Sequence, residues 1–212
     1  GGEFTSIADA HWEMVISRIR GKTTLTIRGP ETKATPAFSP PDSEFIGIQF
    51  RPGTLMTAFP ARQVMDRNDI TLPGASSRRF WLHGMAWEYP DLENVDVFVS
   101  RLVKEGLIIH DSVVADVLQG RVVDLSVRGV QRRILKATGL TYTLIQQIER
   151  ARYAVRLLKQ GNSALDVVCE LGFTDQAHLI HAIRRFTGQT PRQIANQAGR
   201  LPLSFLYNTA PF

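Results

Sequence analysis

Basic and amide side chains recur along a short segment near residue 130, where they could bind a polyanion. The segment Ser126–Lys136 has apolar residues at helical spacing, with Ser126 as a suitable N-cap and Gly139 as a terminator. The residues expected to face a core are Val127, Val130, Ile134 and Leu135. Those expected to point outward are Arg128, Gln131, Arg132 and Arg133. Three arginines on one face repel one another unless a polyanion or an acidic partner neutralises them.

A second segment, Leu165–Phe186, has the pattern of a helix, a tight turn and another helix. Gly172 supplies the positive φ of the turn, and Thr174 is the predicted N-cap of the second helix. This arrangement lets one helix brace while the next enters the major groove of DNA. The residues expected to face the core are Val167, Val168, Leu171, Leu179, Ala182, Ile183 and Phe186. Those left outward are Gln176, Ala177, His178, His181, Arg184 and Arg185.

The outward residue types suit the recognition of double-stranded DNA. Glutamine can pair with adenine through two hydrogen bonds, and arginine and histidine can reach guanine edges or phosphates. The alternative is a pair of basic surface helices without a nucleic-acid ligand, and periodicity alone leaves both interpretations open. Spacing favours DNA, because the helix predicted between the two segments, Tyr142–Lys159, is about 27 Å long and successive major grooves recur about every 34 Å.

Charge is distributed unevenly along the 212 residues. Residues 1–110 contain 12 Lys and Arg against 13 Asp and Glu, whereas residues 111–200 contain 13 against 7. A basic half beside a nearly neutral half is typical of a polyanion-binding module attached to a different domain.

Several function classes have no support in the sequence. No apolar run is long enough for a membrane span and no signal pattern opens the chain, so we expect a cytoplasmic protein. Cys169 is the only cysteine, which excludes an internal disulfide, and we expect it to be a buried, inert thiol. No nucleophile and base pair, phosphate-binding loop or dinucleotide fingerprint is present, so neither an enzymatic role nor a cofactor is expected.

The first half also carries residues that could bind a ligand. Asp9, His11 and Glu13 alternate on a predicted strand and are of metal-ligating types, but no second cluster completes a site. We therefore expect a solvated strand face and no metal. A denser group of aromatic and polar residues follows: Trp81, His83, Trp87, Glu88 and Tyr89. It could line a pocket or form a satellite core beneath a loop, and the second alternative is favoured.

The elements that position these residues change character along the chain. The runs His11–Ile19 and Lys22–Arg28 predict a hairpin, Phe45–Phe50 predicts a strand, and the proline-rich stretch Thr35–Asp42 predicts a loop. An amphipathic helix is predicted from Val95 to about residue 106, and only helices are predicted after residue 111.

Four ordered motifs in the second half resemble the DNA-binding domain of the AraC/XylS family, over roughly residues 111–196. They are SVRGVQRRILKATG at 126–139, ERAR at 149–152, LGFTDQAHL at 171–179 and RFTGQTPR at 185–192. The resemblance implies two helix-turn-helix units joined by a long helix, in a ligand-controlled regulator that mostly activates transcription. By motif position it implies DNA contacts from Arg128, Gln131, Arg132, Gln176, Ala177, His178 and His181.

Two positions depart from the family pattern in the second unit. Many members carry arginine where His181 stands and a small polar residue where Ile180 stands. We therefore expect the second helix to read different bases or to bind more weakly, and the first helix to be the stronger reader. The linker at 119–125 is also unlike the commonest family turn.

The first half resembles, over residues 8–16 and 45–52, the cupin-like sensor domains that precede this DNA-binding domain in some family members. The resemblance implies a small or incomplete β-barrel and directs attention to ligand-binding candidates: Trp12, Glu13, Trp81, His83 and Trp87. The expected fold is an α+β domain over 1–108, an all-α domain over 109–199 and an apolar tail over 200–212 that packs on another part of the chain.

The sequence thus predicts a regulator that binds promoter or operator DNA specifically under the control of a small-molecule effector. RNA polymerase and a second copy of the chain are further expected partners, and a membrane is not. The alternative is a small-molecule-binding protein that keeps a degenerate helix-turn-helix as a scaffold. A DNA-repair enzyme fused to this domain is disfavoured, because the lone cysteine lies inside the predicted DNA-binding fold.

Overall fold

A computed structural model describes residues 2–66, 69–196 and 202–204. The strands are β1 Gly2–Ser6, β2 Glu13–Ile19, β3 Lys22–Arg28, β4 Thr35–Ser39, β5 Ser43–Gln49, β6 Thr54–Met56, β7 Ile70–Thr71, β8 Arg79–Leu82, β9 Met85–Glu88 and β10 Ile108–His110. The helices are α1 Val95–Lys104, α2 Ser112–Leu118, α3 Val127–Thr138, α4 Tyr142–Lys159, α5 Ala164–Leu171, α6 Gln176–Thr187 and α7 Pro191–Asn196, with a 3-10 turn at Ala61–Gln63. Within this described part, every helix falls short of the length or apolar content that crossing a bilayer demands.

The chain divides into two compact units that do not follow the order of the sequence. The first unit comprises residues 11–30 and 40–142, and the second comprises 2–10, 31–39 and the described residues from 143 onward. Strand β1 and strand β4 therefore belong with the C-terminal helices, whereas α2 and α3 belong with the larger set of strands.

The first unit contains a four-stranded antiparallel sheet in the order β5-β2-β3-β7. The predicted hairpin between β2 and β3 is confirmed: Arg20 and Gly21 have φ of 49° and 78°, the pair of left-handed residues that a tight two-residue turn needs. Side chains alternate along both strands, so that Met14 and Ile16 of β2 are buried with Leu25 of β3. The residues of the period-two pattern thus form the buried face of this sheet, which is one side of the core.

The remaining strands of the first unit pair only two by two, β6 with β10 and β8 with β9. Phe80 and Trp87, which are opposite each other in the β8–β9 hairpin, pack against Phe98 of α1 at ring-centroid distances of 6.2 Å and 5.8 Å. The expected barrel is not formed among the described residues, because these strands stay in separate sheets and β7 extends the largest one by only two residues.

Helix α3 is fixed to the core of the first unit near its C-terminal end. The indole Nε1 of buried Trp12 donates to the carbonyl oxygen of Ala137 at 3.1 Å, one of the last carbonyls of the helix, which have no partner within it. Gly139 follows with φ 73°, and a Cβ there would lie 2.6 Å from the sulfur of Met65. Both the turn and this close contact therefore require the glycine that the sequence places there.

The second unit contains a strand pair that the sequence did not predict. The stretch Thr35–Asp42 was predicted as a loop because of its prolines, but its first five residues form β4, which pairs antiparallel with β1 from Gly2 opposite Ser39 to Ser6 opposite Thr35. Strand β4 lies at an edge of this two-stranded sheet, where Pro36 is tolerated because it has no N–H to donate to a further strand. Of the apolar tail only residues 202–204 are described, and they run beside β1: the Thr5 amide donates to Pro202, and the Ser204 amide donates to Thr5.

Helices α4 to α7 supply the core of the second unit. Helix α4 has the predicted bounds, and its apolar stripe packs against α5 and α6 through Val155, Val167 and Leu179, all fully buried. At the C-terminal end of α4, partial burial lowers the pKa of the Lys159 ammonium. The N-terminal segment joins this core, since the Ala8 amide donates to the Phe186 carbonyl oxygen at 2.8 Å.

Candidate nucleic-acid interface

Helix α3 begins and ends as the sequence predicts. The Ser126 hydroxyl accepts from the Gly129 amide at 3.2 Å, and Gly139 closes the helix. Ile134 is fully buried, but Val127 is 74% exposed, so its expected place in the core was wrong. Val127 is the first residue of the helix, and it lies ahead of the residues that α3 buries, which begin at Ile134. The only sequence signal for this was its position directly after the cap.

The outer face of α3 is basic and without acidic residues. Arg128, Gln131 and Arg132 are exposed, and their side chains have no partner among the described residues. Arg133 differs, because its guanidinium donates to the Asp111 carboxylate at 2.9 Å. The four predicted DNA-contacting residues of this helix are therefore brought together on one exposed surface, but only three of them are uncommitted to another part of the described chain.

Capping contacts flank the turn between α5 and α6. Ser163 and Asp166 form a capping box at the start of α5, and Gly172 ends that helix with φ 64°, as predicted. The cap of α6 is Asp175, whose carboxylate accepts from the His178 amide at 2.7 Å. The prediction of Thr174 as the cap was wrong, because its hydroxyl instead lies 3.1 Å from the His178 ring nitrogen Nδ1.

Helix α6 separates its two faces as the sequence indicates. The predicted buried residues are confirmed: Leu179, Ala182, Ile183 and Phe186. The residues exposed on the opposite side are Gln176, Ala177, Ile180, His181, Arg184 and Arg185. His178 is half-buried, with its ring edge-on to Phe173 at a centroid distance of 5.2 Å. The Arg185 guanidinium lies over the Phe186 ring at 4.9 Å, which ties it partly to its own helix.

Phe173 anchors the turn that aims α6. It is buried and is contacted on one side by His178 and on another by Arg150 of α4, whose guanidinium lies 4.6 Å from the ring centroid. His178 therefore has a structural position in this turn besides its predicted DNA contact. Its ring must leave the Thr174 contact, or use the remaining nitrogen, to reach a base.

The chemistry available on α3 and α6 is similar. Neither helix contains Asp or Glu. Helix α3 presents Arg128 and Gln131 near its N-terminal end, whereas α6 presents Gln176 at its N-terminal end and Arg184 and Arg185 in its last turn. At the start of α3, which is capped by the neutral Ser126, the positive end of the helix dipole adds to the attraction for phosphate oxygens. These surfaces can bind phosphates electrostatically and can offer donors and acceptors to base edges.

The five ligand-binding candidates of the first unit are not brought together. Trp12 and Trp87 are buried in the core, where the Trp87 indole donates to the Leu82 carbonyl oxygen at 3.1 Å. Glu13 forms an ion pair with Arg28 at 2.8 Å. Trp81 is exposed on the outer face of its strand, and His83 is exposed in the turn that follows, at φ 50°.

A groove of about 670 Å³ lies over the β2–β5 face of the first unit. Its walls include Ile16, Ile46 and Tyr89 together with the ion pair between Arg18 and Glu44. Burial raises the pKa of the Tyr89 hydroxyl, so this group remains a neutral donor at physiological pH. None of the five ligand-binding candidates lines this groove.

Two further expectations concern the lone cysteine and the carboxylates of Asp9 and Glu13. Cys169 is exposed on α5, so the expectation of a buried thiol was wrong: only Val167 and Val168 turn inward in that part of the helix. Asp9 forms an ion pair with Arg152 in the second unit, as Glu13 does with Arg28 in the first. Both carboxylates thus have cationic partners.

Comparison with known proteins supports the interpretation of these helices. Residues 120–197 match the model of a family described as a helix-turn-helix domain. No curated protein and no solved structure matches the chain. The matched range contains α3 to α7, which are the elements that carry both candidate recognition surfaces. This part of the chain is a helix-turn-helix domain, which supports DNA-binding transcription regulation and the resemblance to AraC-type regulators.

Proposed function

We propose that the protein is a sequence-specific transcription regulator of the AraC type that reads double-stranded DNA with the exposed faces of α3 and α6. One observation carries the proposal. Both helices lie in the matched helix-turn-helix region, and each buries an apolar stripe while exposing an acid-free face of arginine and glutamine. A recognition helix needs this division, because one side must fix it to the protein while the other enters the groove.

The electrostatics of the two helices agree with this role. On α3, Arg128 and Arg132 have no partner in the described chain, so a phosphate or a guanine edge does not have to displace an internal ion pair. On α6, Arg184 is in the same situation. Polyanion binding by these side chains releases counterions and therefore depends steeply on salt.

Selection of bound duplexes from a random DNA pool tests the proposal. The purified full chain should recover two short sequence blocks about one helical turn, or roughly 10 base pairs, apart. Gln131→Ala should relax the preference in one block, and His181→Ala should relax it in the other. Arg51→Ala, which removes an exposed arginine outside the helix-turn-helix region, is the control and should recover the wild-type blocks. Recovery of no enriched sequence by the wild-type chain would contradict the proposal.

We also propose how the protein is regulated. By the family resemblance, the protein acts mainly as an activator, contacts RNA polymerase, is controlled by a small-molecule effector and pairs with a second copy of the chain. We propose no enzymatic activity for it and a cytoplasmic location. The β2–β5 groove is the candidate effector site, because its volume is in the range of small-molecule sites and its walls combine aliphatic with charged groups.

A second candidate function rests on the same groove. If the helix-turn-helix serves only as a scaffold, the protein is a small-molecule-binding protein without a DNA target. Native mass spectrometry then shows a retained ligand, while anisotropy at low salt shows no affinity for duplex DNA. Salt-sensitive duplex binding excludes this alternative.

A further inference from the structure

Each candidate recognition helix exposes one branched aliphatic side chain within its basic face. Val127 of α3 is 74% exposed and Ile180 of α6 is 43% exposed. A single exposed aliphatic residue is ordinary on a protein surface. What distinguishes these two is their place, because each lies among the residues that would face DNA under the proposed function.

Ile180 occupies the middle of the exposed face of α6. Residues three and four apart in a helix are neighbours on its surface, so Ile180 adjoins Gln176 and Ala177 on one side and Arg184 on the other. The methyl group of Ala177 and the side chain of Ile180 form one small apolar surface. The adjacent exposed side chains are polar or basic, and the helix contains no carboxylate.

Val127 has a corresponding place in the first unit. It is the first residue of α3, and the N-terminal residues of a recognition helix are those that contact base edges. Gln131 lies one turn further along the same face, and Arg128 follows Val127 directly. Val127 therefore lies outside the core, in contrast to the prediction from the sequence pattern, and beside the proposed base-reading residues.

We infer that Val127 and Ile180 are specificity-determining residues that read the C5-methyl groups of thymines in the major groove. This inference rests on the proposed function and deepens it. Thymine is the only base that offers an apolar group in the major groove, and aliphatic side chains contact that methyl group. The flanking cations favour a polyanionic occupant over an apolar protein surface, because an apolar partner would leave the arginines next to it poorly solvated.

Replacement of thymine by deoxyuridine tests the inference, because it deletes the methyl group and leaves every hydrogen-bonding group in place. Each thymine in the selected duplex is replaced in turn, and binding is measured by fluorescence anisotropy. For the wild-type chain, at least one replacement in each block should weaken binding about fourfold, the effect of removing one methyl group from an apolar contact. The same replacement should have no effect on the variant whose aliphatic side chain is missing, Val127→Ser for one block and Ile180→Ser for the other.

Matched control variants separate this effect from general damage. Leu165→Ser removes a 58% exposed aliphatic residue from α5, and Val103→Ser removes an exposed one from α1. Both controls should keep the wild-type response to deoxyuridine. All four positions are exposed, so the variants should be folded and should give the wild-type far-UV circular dichroism spectrum.

The two residues are judged separately. If the variant at one of them loses as much affinity on deoxyuridine substitution as the wild type does, or if the wild type is indifferent to every substitution in that block, the inference is overturned for that residue. Either result, together with retained sequence preference, leaves the proposed function intact. If the wild-type chain shows no sequence preference, both the inference and the proposed function are overturned.

Discussion

The Arg152 guanidinium in the middle of α4 lies 3.0 Å from the Asp9 carboxylate, and the same nitrogen donates to the Ala8 carbonyl oxygen at 3.0 Å. The arginine is almost fully buried, so it depends on these two acceptors for the solvation that it has lost. This pair fixes the N-terminal segment of the second unit to the long helix.

Asp9→Asn should therefore lower the free energy of unfolding by about 1–3 kcal/mol, the usual weight of a hydrogen bond to a buried charged group. Urea denaturation followed by far-UV circular dichroism measures the change. Glu44→Gln is the control, because the Arg18–Glu44 pair is largely exposed and should contribute less than about 1 kcal/mol. Equal stability changes for the two variants would refute a special role for the buried pair.

Trp12 is expected to stabilise the attachment of α3 to the sheet. Trp12→Phe removes the donor to the Ala137 carbonyl oxygen and leaves a small cavity, so the free energy of unfolding should fall by about 2 kcal/mol. Trp81→Phe is a matched control, since Trp81 is 47% exposed and should change stability by less than about 0.5 kcal/mol. Urea denaturation by far-UV circular dichroism compares both variants with wild type. A stable Trp12→Phe variant would show that this contact contributes little.

Asp175 has two separable effects at the start of α6. Asp175→Ala should cost about 1 kcal/mol of stability because the carboxylate no longer accepts from the His178 amide. Asp175→Asn keeps an equivalent cap but removes a negative charge from the surface proposed to face DNA. In thermal denaturation, the stability of Asp175→Asn should be close to that of wild type and the stability of Asp175→Ala should be lower. Anisotropy should show no loss of duplex affinity for Asp175→Asn. Weaker duplex binding by Asp175→Asn would argue against a DNA surface at this end of the helix.

The helices were predictable from the sequence because their signals are local. Caps and terminators such as Ser126, Gly139 and Gly172 lie within a few residues of the elements that they end, and the buried stripe of α6 follows from helical spacing alone. The pairing of β1 with β4 was not predictable in this way. It joins residues as far apart in the chain as Gly2 and Ser39, and Pro36 with the following Pro40 and Pro41 indicates a loop when the segment is read locally.

The candidate site residues were likewise predictable only where the sequence signal is local. Periodicity identified which side of each helix faces outward, and it failed at Val127 because a helix can begin before it reaches the core. It also treated Arg128, Arg132 and Arg133 as equivalent. Only the packing of α2 beside α3 reveals that Arg133 is paired with Asp111, twenty-two residues earlier.

This difference among the arginines leads to a prediction about binding. Arg133→Ala should weaken binding to the selected duplex less than threefold, since much of its charge is already compensated by Asp111, which also caps α2. Arg132→Ala should weaken binding about tenfold or more, as expected for loss of a base or phosphate contact. Anisotropy titrations of both variants under one salt condition make the comparison. A loss for Arg133→Ala as large as that for Arg132→Ala would mean that DNA displaces the Asp111 pair.

DNA binding by α3 and α6 is tested most directly by the salt dependence of duplex binding by wild type and by the variant Arg128→Ala/Arg184→Ala. We expect the logarithm of the wild-type association constant to fall linearly with the logarithm of salt concentration. If each arginine neutralises one phosphate, the slope should be smaller by about 1.8 in the double variant, at about 0.9 for each lost contact. The control Arg51→Ala should keep the wild-type slope. A double variant with the wild-type slope and affinity would contradict the claim that the exposed faces of α3 and α6 bind DNA.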